Sequence, residues 1–300
     1  MSFNQNKRTF LKQSVGIGLG ASVLGLNNLP YALAKAPSAT NKPKAPNLGA
    51  TKTEAMAISS DAHHNLMDVP GLRMMGNEQI VMLVYPKMTM LDLVGPQYFF
   101  ASMMGAKVHL LTLGSIDQPI MGDTGFAIMP TITLDQVPDN IDLFFIPGGT
   151  SGTSALMQNE DNMRAVKTLA QKSRLLSSVC TGSMVLAHAG LLTGKRATSH
   201  WLTREILASY GVTPVDARVV EDGNVITGAG VSAGIDFALS LLAKLRGEPY
   251  AKAVQLQAEY APQPPFVGGT PETTDAVLYR NLHQIFAPAV FEFNALAQQA

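Results

Sequence analysis

The chain has 300 residues, 46% of them hydrophobic, enough to bury one large core or two small ones. Twenty-two Lys plus Arg balance 22 Asp plus Glu, which excludes a global field that would draw nucleic acid or an anionic surface. The composition favours a small neutral or mildly polar molecule as partner.

In chain order, the first element is a targeting segment. "NKRTFLKQSVGIGLGASVLGL" carries Lys7, Arg8 and Lys12 ahead of a short apolar stretch, and "YALAKA" then supplies the small residues a signal peptidase requires. Residues 1–34 therefore read as an export signal, giving a periplasmic or otherwise exported protein with no stable membrane anchor once the signal is removed. The order Lys-Arg-Thr-Phe-Leu-Lys resembles the twin-arginine motif, with Lys7 where its first arginine would stand; the general secretory route is equally open. Residues 35–77 lack apolar periodicity and read as a flexible linker, in which His63 and His64 are solvated.

From Glu78 the pattern changes. "QIVMLVYP", "KVHLLTLG", "IDLFFIPGG" and "RLLSSVC" are continuous apolar runs, which predict strands covered on both faces. With helix-like stretches between them they predict an α/β fold: a mainly parallel central sheet covered by helices on both faces. "MGDTGFAIMPTITLDQV" alternates and predicts a small antiparallel ribbon. "DARVVEDGNVITGAG" predicts a second, turning at Asp222-Gly223.

An open α/β sheet keeps its ligands beyond the carboxyl ends of its strands. Asp92 follows the first run by a short loop, Gly148 and Gly149 follow the third directly, and Cys180 ends the fourth. Cys180 is the only cysteine, so it is an inert core residue, an intermolecular partner or a working thiol. A strand stopping at the thiol and turning at once into "TGSMVLAHAGLL" predicts a sharp elbow, with Gly182 leaving room for it. At such a helix start the thiolate form is expected to be favoured. The N–H groups of Gly149 and Thr181 are candidate donors to a developing negative charge. For the glycine pair a plain tight turn is the other reading, and for Asp92 it is helix capping. His188, eight residues into the helix, is too far along it to meet the thiol. Trp201 reads as core, as do most methionines, while Met88 and Met90 lie where they could line an apolar pocket.

"IPGG" and "VCTGSMVLAHAGLLTGKRATSHW", followed by "EYAPQPPFVGGTP", resemble the DJ-1/PfpI superfamily and, within it, the isonitrile hydratase branch. The resemblance implies a flavodoxin-like catalytic domain over about residues 78–265, a C-terminal extension over 266–300, a homodimer, and no metal or organic cofactor. The superfamily's proteases place a histidine directly after the nucleophile, where this chain has Thr181. Regulators of the AraC type append a DNA-binding module that 266–300 is too short to hold. The implied reaction is hydration of an isonitrile to an N-substituted formamide, through a thioimidate on Cys180, with Asp92 as acid and base and the Thr181 hydroxyl orienting water. His200 and Gly148 are accessory candidates, His200 being equally suited to bonding backbone at a helix start. Glyoxalase-like or deglycase activity on reactive carbonyls, and a redox or ligand sensor without catalysis, are the alternatives.

Overall fold

The computed structural model describes residues 44–299; the expected export signal and the first part of the expected linker lie outside them. Six strands form the central sheet: β1 (Gln79–Val84), β2 (Lys107–Thr112), β5 (Ile141–Ile146), β6 (Ser173–Val179), β9 (Val219–Asp222) and β10 (Val225–Gly228). Their order is β2-β1-β5-β6-β10-β9, parallel throughout except for the edge pair β10-β9. Ile80–Val84, Leu143–Ile146 and Leu175–Val179 are buried without alternation, because helices cover both faces of the sheet.

On one side α2 (Met90–Ala101) packs against α6 (Ala233–Arg246), which in turn meets α7 (Glu248–Gln257). Beneath them Phe100, Phe145 and Phe237 form a fully buried triangle with centroids 5.7–6.4 Å apart. Burying each such ring contributes about 1.5–3 kcal/mol. On the other side lie α3 (Ser151–Gln158), α4 (Glu160–Gln171) and α5 (Gly182–His188). Two ribbons were expected. The first, β3 (Ile120–Met121) with β4 (Ala127–Ile128), is a separate two-stranded sheet hydrogen-bonded to the segment after β1, where the Lys87 N–H donates to Met121 O and the Asp123 N–H to Met88 O. The second is β9-β10, but β10 also pairs with β6, so it closes the main sheet instead of standing apart. A further short parallel pair joins β7 (Arg196–Ala197) to β8 (Thr213–Pro214).

Both ends of the domain hold more structure than the sequence reading placed there. Inside the segment read as linker, α1 (Lys52–Met67) starts at a capping box, with Thr51 Oγ1 accepting from Glu54 N–H and the Glu54 carboxylate accepting from Thr51 N–H. It buries no side chain, consistent with its lack of apolar periodicity. After it, Leu72 and Met74 pack against the core, so the ordered domain begins before Glu78. At the other end, α8 (Ala276–Ile285) precedes α9 (Ala287–Ala297), whose Phe293, Leu296 and Ala297 are buried against α3 and α5. Ser154 also donates to Glu292 at 2.8 Å, tying α9 to α3.

Candidate active site

The parallel register aligns the carboxyl ends of β1, β5, β6 and β10, and the segments leaving them converge. Asp92 sits in the first turn of α2 and is fully buried. Its Oδ2 accepts the Gly148 N–H at 3.0 Å, while Oδ1 has no conventional partner and the Cys180 thiol is the polar neighbour of the carboxyl. Burial raises its pKa to about 7, against the lowering effects of the Cys180 thiol and the Gly148 N–H. A first-turn position favours the carboxylate, and here burial outweighs it. Gly148 fits between the two reacting groups only because it lacks a side chain. A Cβ there would lie 2.7 Å from Cys180 Cβ and 2.8 Å from Asp92 Oδ2.

Cys180 stands at the elbow between β6 and α5 with φ at 59°. A non-glycine residue in the left-handed region costs about 1–3 kcal/mol and persists where its surroundings fix it. Here the Cys180 N–H donates to Gly228 O and Ala229 O, and its carbonyl accepts from Ser183 and Ser199 at 3.1 Å each. Gly182 lets α5 start flush against β5, since a Cβ would sit 2.2 Å from Ile146 O. The expected direction of the thiol's pKa is reversed. Burial first, and then the Asp92 charge, push it well above the ordinary thiol value, although the N–H groups of Thr181 and Val231 at the sulfur favour the thiolate. The helix start is a short-range effect, and complete burial outweighs it.

Iodoacetamide at pH 7 is therefore expected to alkylate Cys180 more slowly than free cysteine, and Asp92→Asn to speed the reaction, because removing the neighbouring carboxylate lowers the thiol's pKa. Alkylation of the unmodified protein faster than free cysteine would show that the thiolate predominates and that burial does not control this site.

Thr181 and Gly149 meet, but not as expected. The Gly149 N–H donates to Thr181 Oγ1 at 2.9 Å, and Thr181 Oγ1 donates back to Gly149 O. The Gly149 N–H is thus engaged within the protein and is not an open donor, and the Thr181 hydroxyl is held in the same loop instead of facing a water site. Thr153 Oγ1 lies 3.0 Å from both Thr181 Oγ1 and Tyr85 OH, and Tyr85 donates to Pro147 O. This buried chain clamps the loop after β5 to the elbow. The donors directed at the sulfur are the N–H groups of Thr181 and Val231. Val231, Thr153 and Tyr85 were missed because they come from three distant stretches with no local motif.

His200 takes the backbone-bonding alternative. Its Nδ1 accepts the Leu202 N–H at 3.3 Å, its carbonyl begins the following turn, and its ring packs against Gly230. Burial lowers its pKa to about 4, so it is neutral at pH 7. Met88 and Met90 are core residues, not pocket lining. A further carboxylate, Asp123 on the tip of the β3-β4 ribbon, accepts from Thr89 Oγ1 at 2.7 Å above the start of α2. Among the described residues no three His, Cys, Asp or Glu side chains gather as a metal site, and no helix is long and apolar enough to cross a membrane.

The fold and elbow define a class: a flavodoxin-like α/β protein with one buried cysteine at a strained strand-to-helix turn and a carboxyl beside it. The chain belongs to the DJ-1/PfpI family, whose model matches residues 78–244. It is 42% identical to an isonitrile hydratase of Pseudomonas putida over 212 residues, 71% of this chain and 91% of that one. It is 29% identical to a glutathione-independent glyoxalase of Caenorhabditis elegans over 141 residues, 47% of this chain and 75% of that one. Among solved structures, a THiJ/PfpI family protein of Pseudomonas syringae is 44% identical with a TM-score of 0.74, covering 77% of this chain and 94% of that one.

Proposed function

We propose that the protein hydrates isonitriles to N-substituted formamides on Cys180. The observation that carries this reading is the buried thiol–carboxyl pair, in which Asp92 titrates near neutrality beside a thiol that holds its proton. Sulfur bonds to the isonitrile carbon as the thiol proton passes to Asp92 and on to that carbon, giving a thioimidate. Water then adds to the same carbon with Asp92 as base, and the carbon–sulfur bond breaks. Of the water's two protons, one ends on nitrogen and the other returns to sulfur. The Thr181 and Val231 N–H groups stabilise the sulfur as it carries negative charge. Similarity to the Pseudomonas putida isonitrile hydratase supports the same reaction.

Purified protein without added metal is expected to convert a simple alkyl or aryl isonitrile to its formamide, and Cys180→Ser to slow this at least about 1,000-fold. The rate should rise with pH through about 7, as the pair passes from two protons to one. The same pair suits attack on a reactive carbonyl, and the glyoxalase similarity favours that as the second reading. If methylglyoxal is consumed in a Cys180-dependent way while isonitriles are untouched, the carbonyl activity replaces the hydratase.

Export of the mature chain and a homodimeric assembly belong to the same proposal. Amino-terminal sequencing of protein from the exported fraction should begin after about Ala34, and sedimentation should give a dimer. An intact Met1 on mature protein, or monomer alone, removes the respective claim.

A further inference from the structure

Trp201, two residues beyond the Ser199 whose hydroxyl donates to Cys180 O, lines a cavity of about 130 Å³ that the reaction above does not use. Trp201, Thr270, Pro271, Thr274, Tyr279 and Leu282 line it. Part of its wall is Gly269-Thr270-Pro271, the end of the "EYAPQPPFVGGTP" stretch, and part is α8 from the C-terminal extension. Trp201 packs in a tilted array with Tyr279 at 5.5 Å, His283 at 6.0 Å and His200 at 5.6 Å.

Three observations indicate what fits there. None of the lining residues is charged. The hydroxyls of Thr270 and Thr274 are engaged inside their own turn, Thr270 with Thr273 and Thr274 with the Thr270 carbonyl. Its volume is close to the roughly 150 Å³ at which an apolar cavity takes up benzene. Such a cavity suits a flat, neutral, apolar group that stacks on aromatic faces.

The chain ties one wall of the cavity to the elbow. Ser199 donates to Cys180 O, and Trp201 lies only two residues on, at most about 7.6 Å between Cα atoms. Between them His200 packs against Gly230, next to the Val231 N–H that faces the sulfur.

We propose that this cavity is the subsite for an aromatic substituent of the substrate, so that aryl isonitriles are preferred over small alkyl ones; this rests on the hydratase reading. Tyr279 and Trp201 are then specificity residues, and the C-terminal extension supplies part of the site. Because Trp201 is the only tryptophan, its emission reports on the cavity directly, whatever the reaction.

The test titrates the full chain with N-phenylformamide and N-methylformamide while following Trp201 fluorescence. A saturable change with the phenyl compound and none with the methyl compound at equal concentrations is expected. Tyr279 is 36% exposed, so Tyr279→Ala should fold. It should weaken phenyl binding about tenfold and raise KM for phenyl isonitrile about tenfold; Leu282→Phe, which fills the cavity, should abolish the phenyl response. No response of Trp201 to N-phenylformamide, or equal binding by Tyr279→Ala, overturns the subsite even where isonitriles are hydrated. If no isonitrile is consumed and the Tyr279-dependent response is present, the cavity stands as an aromatic-binding site, and the hydratase reading falls together with the assignment of that aromatic group to an isonitrile.

Discussion

Asp92→Asn is expected to stabilise the protein at pH 7–8 while removing most of its turnover. A carboxyl whose folded pKa is about 7, against about 3.9 in an unfolded chain, binds protons more readily folded than unfolded. Between those values the folded state holds the extra proton, so stability falls as pH rises from about 4 to about 7. At about 1.4 kcal/mol per unit, the burial of this carboxylate costs at most about 4 kcal/mol above pH 7, and the coupled thiol makes the realised figure smaller. Asparagine has no charge to bury, and its carbonyl oxygen can still accept the Gly148 N–H. It cannot carry a proton from sulfur to carbon. Thermal unfolding from pH 4 to 8 should therefore show the variant gaining on the unmodified protein as pH rises, with the difference levelling off above about 7. Equal stability at pH 8, or a variant less stable there, would mean that Asp92 is not a strained acid held for chemistry.

The same residue shows what was legible in sequence. Its place after the first apolar run, and that of Cys180 at the end of the fourth, follow from strand ends alone, because continuous burial of β1, β5 and β6 leaves an equally continuous apolar signature. The ionisation of Cys180 was not legible in the same way. A helix start can be seen in "CTGS", but complete burial is set by segments far away in the chain. Hydrogen-bond direction was hidden too, since Thr181 next to a nucleophile suggests a hydroxyl facing water until Gly149, Thr153 and Tyr85 are found around it. Other signals were present and local. Thr51 and Glu54 have capping-box spacing, and Phe293, Leu296 and Ala297 recur at three and four residues, the period of a helix face that docks.

Arg246 gave no such signal, because a charged residue near the end of a helix reads as exposed, and Arg246→Met is expected to be among the most destabilising single changes in the chain. The side chain is only 1% exposed. Its guanidinium donates to Glu78 at 2.7 and 2.5 Å and to the carbonyls of Met74 and Met104 at 2.9 Å each. It thereby fastens the segment before β1 and the turn after α2 to the end of α6. Burial alone would raise the Glu78 pKa, but the Arg246 hydrogen bonds and charge hold it below the ordinary carboxylate value, so the pair's contribution is present at neutral pH and lost as pH falls through the folded pKa. Methionine fills a similar volume but leaves the Glu78 carboxylate without its guanidinium partner and the Met74 carbonyl without its donor, while Met104 O keeps only the Gly76 N–H. Breaking a buried pair from one side costs about 3–5 kcal/mol, which for a domain of this size lowers Tm by roughly 10 °C. Removing the remaining charge as well, in Arg246→Met with Glu78→Gln, should recover part of that loss, because the stranded carboxylate and not the lost attraction accounts for much of it. Calorimetry on the three proteins separates the two contributions. A single variant that melts within about 2 °C of the unmodified protein, or a double variant no better than the single, would show that this buried cation does not hold the amino-terminal segment to the domain.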